Sequence, residues 1–192
     1  MNKINFSLIF HMHQPIGNFK QIFDLAANRA YLPLLKILYA NPEIKFALHI
    51  SGPLWEYFSD AYPEIFKILI EMQQREQMEI LGGGFYEPIL TAIPTRDAIE
   101  QVEWLSDYLE DQILVRPNGI WLSERIWEPK LPSILNEAGI IYTAVDDYHF
   151  KTVGLTGDEL FGYYFTEDEG NKLILIPIAE KLRYLMPFRP VS

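Results

Sequence analysis

The sequence predicts an α/β fold built on a parallel β-sheet. Six mostly apolar segments of strand length are each followed by polar residues or glycine, and segments with helical spacing separate several of them. Such apolar runs are typical of parallel strands covered on both faces, and repeated strand–helix units join parallel strands by right-handed crossovers. The pattern leaves open whether the sheet is doubly wound or closed into a barrel.

The predicted elements alternate along the chain. We expect one helix to open at Pro63, a second to be capped by Thr95, and a third, over residues 132–138, to end at Gly139. Proline, threonine and glycine favour these respective positions. The six candidate strands cover residues 4–13, 44–51, 77–85, 118–124, 139–147 and 172–178.

Composition and charge narrow the class of protein. The 192 residues carry 16 Lys and Arg against 26 Asp and Glu, and the net charge of −10 would repel nucleic acid. The chain has no Cys for disulfides or thiolate metal sites, no GxGxxG or GxxxxGK fingerprint, and no apolar run long enough to span a membrane. We expect a single-domain, soluble, cytoplasmic protein that binds neither nucleic acid nor membrane.

Polar side chains cluster where the predicted strands end. Functional groups of parallel α/β proteins gather at the carboxyl ends of the strands, so this placement predicts a site there. The residues concerned are His11, His13, His49, Glu87, Glu124, Glu128, Asp146, Asp147 and His149.

Two of these segments allow more than one interpretation. His11 and His13 share one face of an extended strand, so they suit either a metal or, as we favour without Cys or HExxH, hydrogen bonding to a neutral polar substrate or a carboxylate. In "GGGFYEP", the glycines before Glu87 permit either close approach of a ligand or a glycine-adapted turn with Glu87 in solvent. We expect no metal and no cofactor.

The segment "WLSERIWEP" places Glu124 and Glu128 between Trp121 and Trp127. Flat aromatic faces suit the apolar face of a sugar ring, carboxylates suit acetal chemistry, and Arg125 can hold a carboxylate ionised. The competing interpretation is that the tryptophans belong to the core and the glutamates pair with Arg125 at the surface. Spacing alone does not separate the two.

The ordered segments "FHMHQP", "GGGFYEP" and "WLSERIWEP" resemble the first three sequence signatures of glycoside hydrolase family 57, the α-glucan-active enzymes. The segments "HISGPLWEY", "VDDYHF" and "EKLRYLMPFRPV" resemble its 4-α-glucanotransferase and α-amylase branch, so the resemblance spans nearly the whole chain. It implies a (β/α)7-type parallel barrel, incomplete at the carboxyl-terminal side, with residues 1–192 forming one partial catalytic domain.

The resemblance also implies a retaining mechanism, in which one carboxylate attacks the anomeric carbon and a second carboxyl protonates the leaving oxygen. It implies that Glu124 is the nucleophile, that His11 and His13 bind sugar hydroxyls, and that Trp121 forms part of the pocket wall. Glu79 is a weaker candidate for the same pocket. The resemblance leaves Glu128 outside the reacting groups.

In this family the acid/base is an aspartate of a fourth signature, found after the "PFRPV" segment. Asp146 and Asp147 do not replace it, because "VDDYHF" occurs as a separate stretch in relatives. We therefore expect little or no turnover from the chain alone. The expected partners are an α-1,4-glucan or maltooligosaccharide and, because an opened barrel leaves a strand edge unpaired, either a second copy of the chain or a separately encoded carboxyl-terminal portion.

Two alternatives remain from other functional classes. A non-catalytic α-glucan-binding or regulatory protein derived from the same barrel would keep the pocket without the acid/base. A metal-dependent deacetylase-like site would use the histidine pair and nearby aspartates, but that chemistry does not need the glutamate–tryptophan segment.

Overall fold

Seven strands form the centre of the molecule, arranged in two sheets. The computed structural model describes residues 6–185. The first sheet is wholly parallel, with the order β1-β2-β3, and the second has the order β4-β5-β7-β6, in which only β6 runs antiparallel to its neighbour. The strands are β1 (Leu8–Met12), β2 (Phe46–Ile50), β3 (Met78–Leu81), β4 (Gly119–Ile120), β5 (Tyr142–Asp146), β6 (Tyr164–Asp168) and β7 (Asn171–Ile178).

One parallel bridge, between Gly82 and Ile120, connects the two sheets. Its hydrogen bonds run from the Gly82 amide to the Gly119 carbonyl and from the Trp121 amide to the Gly82 carbonyl, each at 2.9 Å. Six strands therefore follow one another side by side in parallel, and the carboxyl ends of β1 to β5 share one rim. The predicted α/β class with a parallel sheet is confirmed.

All six predicted strands are present. Five of them are shorter than predicted, and β7 is one residue longer. Residues 4 and 5 of the first predicted strand, and the "PFRPV" segment at residues 187–191, lie outside the described residues. Strand β6 was not predicted. It forms a hairpin with β7 through Gly170, and its alternating exposure gives it no continuous apolar run.

In the part of the chain that the structure describes, eight helices surround the strands: α1 (Lys20–Ala26), α2 (Leu32–Ala40), α3 (Gly52–Ala61), α4 (Glu64–Gln74), α5 (Thr95–Ile113), α6 (Leu131–Glu137), α7 (Tyr148–Thr152) and α8 (Glu180–Leu185), with a π-helical stretch (Ala27–Tyr31) joining the first two. The three predicted helices correspond to α4, α5 and α6. No helix between residues 6 and 185 is long and apolar enough to cross a bilayer.

Of two predicted helix ends, the structure confirms one and contradicts the other. Gly139 adopts the left-handed conformation just after α6, as expected for a glycine that ends a helix. Thr95, however, is the first residue within α5 and makes no capping hydrogen bond, so its predicted capping role is wrong. Pro94 occupies the capping position instead.

Gly52 and Pro53 open α3, where proline is tolerated because the first helical turn has no amide partner to lose.

Two apolar clusters hold the strands in place. Leu48, Trp55 and Leu105 belong to the first, between the sheet of β1 to β3 and its helices, and are wholly buried. Leu135 and Leu173 are wholly buried in the second, which lies against β4, β5 and β7. Packing against these two clusters holds the strands, and with them the rim at their carboxyl ends, in position.

A hydrogen bond on the inner face links the two sheets. The Tyr142 hydroxyl donates to the Glu79 carboxylate at 2.7 Å, which connects β5 to β3 across β4. Gly119 makes this contact sterically available, because a methyl group at its position would lie 2.1 Å from Cζ of the Tyr142 ring. Burial and the hydrogen bond to Glu79 raise the pKa of Tyr142, so its hydroxyl stays a donor.

We expect Gly119→Ala to lower the free energy of unfolding by about 1–3 kcal/mol, because the Tyr142 ring must move away. Gly162→Ala is the matched control, since its new methyl group would meet no atom closer than 3.9 Å. Urea denaturation followed by circular dichroism measures both. Equal stability of the two variants would contradict the packing of Tyr142 over β4.

Candidate active site

A pair of histidines lies at the centre of the rim. His11 on β1 and His49 on β2 are register partners, and their Nδ1 atoms form a hydrogen bond of 2.9 Å. His49 is wholly buried. Burial, followed by the charges of His11 and His13, holds the pKa of His49 well below its usual value. His49 is therefore a neutral imidazole at neutral pH.

Glu87 connects this pair to His13. Its carboxylate contacts His13 Nδ1 and lies 3.6 Å from His11 Nε2, and its side chain is only 8% exposed. Glu87 has a φ of +55°, which L-residues rarely adopt, in a turn closed by its own amide donating to the Gly84 carbonyl. The interpretation that Glu87 is merely solvated is wrong.

The net effect on His11 is a lowered pKa. Burial is the largest cause, and the nearby charges of His13 and Arg125 act in the same direction. The carboxylates of Glu87 and Glu124 oppose it only in part. The lowered pKa favours the neutral form of the His11 imidazole.

The glycine triplet makes room for protein side chains. A methyl group on Gly83 would lie 2.3 Å from His49 Nε2, and one on Gly84 would lie 2.7 Å from the Pro88 ring. Gly83 therefore exists in this segment because the His49 imidazole occupies the space of a side chain. Neither alternative for "GGGFYEP" included this packing of a histidine ring against Gly83.

The two tryptophans have different surroundings. Trp121 follows β4 and stacks on His11, with ring centroids 4.9 Å apart and planes inclined by 17°. The Arg125 guanidinium lies 5.8 Å from the Trp121 ring centre. Trp127 instead packs against the second apolar cluster. Only Trp121 thus belongs to the site.

Glu124 lies on a strained turn beside this stack. The turn Ser123–Arg125 carries Glu124 at φ +53° and Arg125 at φ +56°, two consecutive left-handed residues that are not glycine. The Glu124 residue is exposed, and its charge acts on His11. Backbone strain of this kind costs on the order of 1–3 kcal/mol per residue and concentrates at functional sites.

Arg125 binds an aspartate rather than either glutamate. Its Nε lies 3.3 Å from Asp146 Oδ2, and Arg183 Nη2 lies 3.2 Å from the same oxygen. Among the described residues, Glu128 has Lys130 as its cationic neighbour, at 3.9 Å. The interpretation that the glutamates pair with Arg125 is therefore wrong. Asp146 orients Arg125 instead.

Three further candidates lie away from the histidine pair. Glu79 is level with Ala47 in the register, two residues before His49 on the same face of the sheet, and is bound by Tyr142. Asp147 pairs with Lys151 at 2.8 Å. His149 lies in helix α7 against Tyr148.

One donor set could hold a cation. Ligand atoms of His11, His49 and Glu87 all lie within 4.8 Å of one another. However, the Nδ1 atoms of the two histidines form a hydrogen bond with each other, and His49 Nε2 faces Gly83. Coordination by His49 would therefore require the loss of this hydrogen bond or movement of the glycine segment.

The sequence placed His49, Glu87 and Asp146 at the predicted site without giving them individual roles, and it gave no indication of Tyr142. The available signal was for His49, whose position near the end of the second apolar run matches that of His11 in the first. Register then makes them neighbours. Tyr142 carries no such signal, because its reach to Glu79 depends on Gly119.

We expect the stability of the fold to decrease as the pH falls below about 6.5, the usual pKa of histidine. The folded-state pKa of His49 is lowered, so the unfolded chain binds more protons in this window. The free energy of unfolding then rises with pH at on the order of 1 kcal/mol per unit per proton and levels off above this pKa. Denaturant titrations at several pH values measure the slope.

In this experiment His49→Asn should reduce the slope, and the remainder belongs in part to His11, whose pKa is also lowered. The control Gly162→Ala, which removes no titratable group and meets no close atom, should retain the slope of the unsubstituted chain. An unchanged slope in His49→Asn would mean that His49 is not the titrating group.

Relatives of known name match the sequence closely. The model of Glycosyl hydrolase family 57 matches residues 7–190. Over 192 residues the chain is 48% identical to a 4-alpha-glucanotransferase of Thermococcus litoralis, and over 191 residues it is 46% identical to an alpha-amylase of Pyrococcus furiosus. The alignments include the whole chain but only 29% of each relative, so the chain spans less than a third of their length.

Solved structures extend the comparison to the fold. The crystal structure of the 4-alpha-glucanotransferase from Thermococcus litoralis matches with a TM-score of 0.94 over 99% of this chain and 30% of that one. At 16% identity, alpha-amylase AmyC from Thermotoga maritima has a TM-score of 0.70 over 91% of this chain and 46% of its own. At 13% identity, a putative polysaccharide deacetylase from Mycobacterium smegmatis has a TM-score of 0.62 over 89% and 55%, which likewise shows a shared fold alone.

The two enzymes of the family, from Thermococcus and Thermotoga, are (β/α)7 barrels of which this chain covers a part, as expected for an incomplete barrel. The family model covers nearly all of the sequence, with the histidine pair, Glu87, Trp121 and Glu124 inside the matched region. The chain therefore belongs to glycosyl hydrolase family 57.

Proposed function

We propose that this chain carries the nucleophile side of the active site of an α-1,4-glucan-active retaining enzyme, of the 4-α-glucanotransferase or α-amylase type. The observation that carries the proposal is the exposed Glu124 on a turn of two left-handed residues beside the His11–Trp121 stack. Glu124 attacks the anomeric carbon as the bond to the leaving oxygen breaks, and water or a second glucan then takes the glycosyl group.

The surrounding groups suit recognition of a sugar. His11 and His13 present imidazole nitrogens next to the Glu87 carboxylate, and this mixture of donors and acceptors matches sugar hydroxyls. Trp121 forms the wall behind His11 and holds its ring in plane. Glu79 lies on the same face of the sheet as His49, level with Ala47, and we propose that it also binds a sugar hydroxyl.

A second carboxyl must protonate the leaving oxygen, and retaining enzymes place it about 5–5.5 Å from the nucleophile. Two other carboxylates of the rim are engaged elsewhere, Glu87 by His13 and Asp146 by Arg125 and Arg183. We therefore propose that the acid/base is supplied by residues beyond this stretch of barrel.

The engagement of Glu87 and Asp146 by other side chains also favours a second candidate, a non-catalytic α-glucan-binding or regulatory protein. Such a protein would keep the histidine pair and Trp121 and would need no proton donor. The two candidates differ in one property: a binder gives no products with any complementing polypeptide, whereas the nucleophile side of an enzyme becomes active when the acid/base is supplied.

We expect the 192-residue chain alone to bind maltoheptaose but to release no products above background, because general acid catalysis is worth about 10² to 10⁴ in rate. Calorimetry measures binding, and product chromatography measures turnover. Adding the carboxyl-terminal portion of a full-length relative should restore activity if the chain is the nucleophile side of an enzyme.

Glu124→Gln should keep maltoheptaose binding and abolish the complemented activity, while Glu128→Gln, at the surface beside Lys130, is the control and should keep both. Turnover by the chain alone that disappears in Glu124→Gln would refute the absence of an acid/base. If Glu124→Gln kept the complemented activity, the role of Glu124 as nucleophile would be refuted.

We also infer that the open edges of the barrel take part in assembly. Within residues 6–185, strands β1 and β6 pair on one side only. Beside β6, the side chains of Phe161, Tyr163 and Phe165 are 77%, 67% and 66% exposed. Unpaired strands with exposed aromatic residues favour association with a second copy or with a separately encoded portion of the barrel.

The chain alone is therefore expected to self-associate at concentrations of about 0.1–1 mM, a range in which weak interfaces become populated. Multi-angle light scattering measures the mass. Replacing Tyr163 and Phe165 with threonine should reduce the association, because threonine keeps the strand and removes the rings. A monomer throughout this concentration range would contradict the inference.

A further inference from the structure

We propose that His49 is a positioning residue that fixes the tautomer of His11, so that His11 Nε2 carries a hydrogen and directs it toward Glu87. The assignment of the tautomer stands on contacts within this chain. Its consequence for sugar binding rests on the function proposed above. His49 itself is wholly buried and does not reach a ligand, so its effect acts through His11.

The starting point is that the two Nδ1 atoms, 2.9 Å apart, share a single hydrogen. A neutral imidazole has one N–H and one bare nitrogen, so each assignment of this hydrogen decides what both Nε2 atoms are. Either His49 Nδ1–H donates and His11 Nε2 is protonated, or His11 Nδ1–H donates and His49 Nε2 is protonated. A proton on every nitrogen would place a charge on buried His49.

The surroundings of His11 favour the first assignment. Its Nε2 lies 3.6 Å from a Glu87 carboxylate oxygen, which can only accept. A hydrogen on His11 Nε2 faces this negative oxygen favourably, whereas a bare lone pair there would face another acceptor.

The surroundings of His49 favour the same assignment independently. Its Nε2 is buried and has no hydrogen-bond partner among the described residues. An N–H without a partner is the rarer and less tolerated case in protein interiors, whereas a bare nitrogen is an acceptor only. A side chain on Gly83 would point at this nitrogen. A Cα hydrogen of Gly83 takes its place and faces the lone pair.

The assignment gives the pocket a matched donor and acceptor. The separation of 3.6 Å between His11 Nε2 and Glu87 is too long for a direct hydrogen bond. A sugar hydroxyl can accept from His11 and donate to Glu87 at once, because a hydroxyl does both. Trp121, stacked on His11, keeps the ring in the required plane. His49 thereby selects for a hydroxyl at this position.

The test is a long-range ¹H–¹⁵N spectrum of the ring nitrogens, recorded near pH 7.5 with a chelator so that no bound cation sets the tautomer. The chain has only four histidines, so single substitutions assign every signal. We expect His49 to be protonated at Nδ1, the tautomer that is minor in free histidine, and His11 to be protonated at Nε2. A proton on His49 Nε2 would overturn the proposal.

Two variants extend the test to positioning. His49→Asn retains an N–H donor close to the position of Nδ1 and should keep the His11 tautomer. His49→Phe retains a ring without a donor and should leave His11 as a mixture of tautomers with averaged shifts. A His11 spectrum unchanged in His49→Phe would refute the role of His49. If His49→Phe does not fold, the spectrum of the unsubstituted chain still decides the assignment.

Glucan binding provides the functional readout. We expect His49→Phe to weaken maltoheptaose binding by about tenfold, a factor typical of one misdirected hydrogen bond, and His49→Asn to restore it. If the unsubstituted chain does not bind maltoheptaose, the proposed function fails, while the spectra continue to test the tautomer. Equal affinity in His49→Phe and His49→Asn, with different tautomers, would refute the link between the two.

Discussion

The burial of a neutral imidazole between two strands is the constraint on which the site depends. His49 is wholly buried, and its Nδ1 forms a hydrogen bond with His11 Nδ1. The absence of a side chain at Gly83 leaves room for the His49 ring. Because His11 then stacks on Trp121 and faces Glu87, the positions of residues on four separate segments follow from this one ring. A buried polar group that is held by a few exact contacts specifies a single arrangement, since any other leaves it unpaired.

Most of the fold follows from local patterns in the sequence. The strands that line the rim are continuous apolar runs, and α4, α5 and α6 carry apolar residues at helical spacing, so both classes are recognisable without the structure. Strand β6 is not, because one of its faces is exposed and its pairing with β7 depends on a turn at Gly170. Helix α3 was obscured because Gly52 and Pro53 resemble a turn, although proline at the start of a helix is tolerated.

The site was predictable to the extent that register and strand ends determine it. Histidines that end neighbouring parallel strands must meet, and they do so in the pairing of His11 with His49. The partner of Arg125 could not be deduced, because Glu124 and Glu128 are nearer in sequence and only the left-handed turn directs the guanidinium to Asp146. Contacts that depend on unusual backbone angles leave no periodic signal, and the same angles show where the chain stores strain.

The bridge between Gly82 and Ile120 is the backbone connection between the two parts of the candidate site. His11, His13, His49 and Glu87 belong to the three-stranded side, whereas Trp121, Glu124 and Arg125 belong to the four-stranded side. The backbone hydrogen bonds of one bridge and the bond between Tyr142 and Glu79 span the seam between them. The spacing between the rim histidines and Glu124 is thus a property of the seam, and Gly119 contributes to it because it leaves room for the Tyr142 ring. Substitutions in the seam can therefore change the relative positions of the rim side chains while every rim residue stays the same.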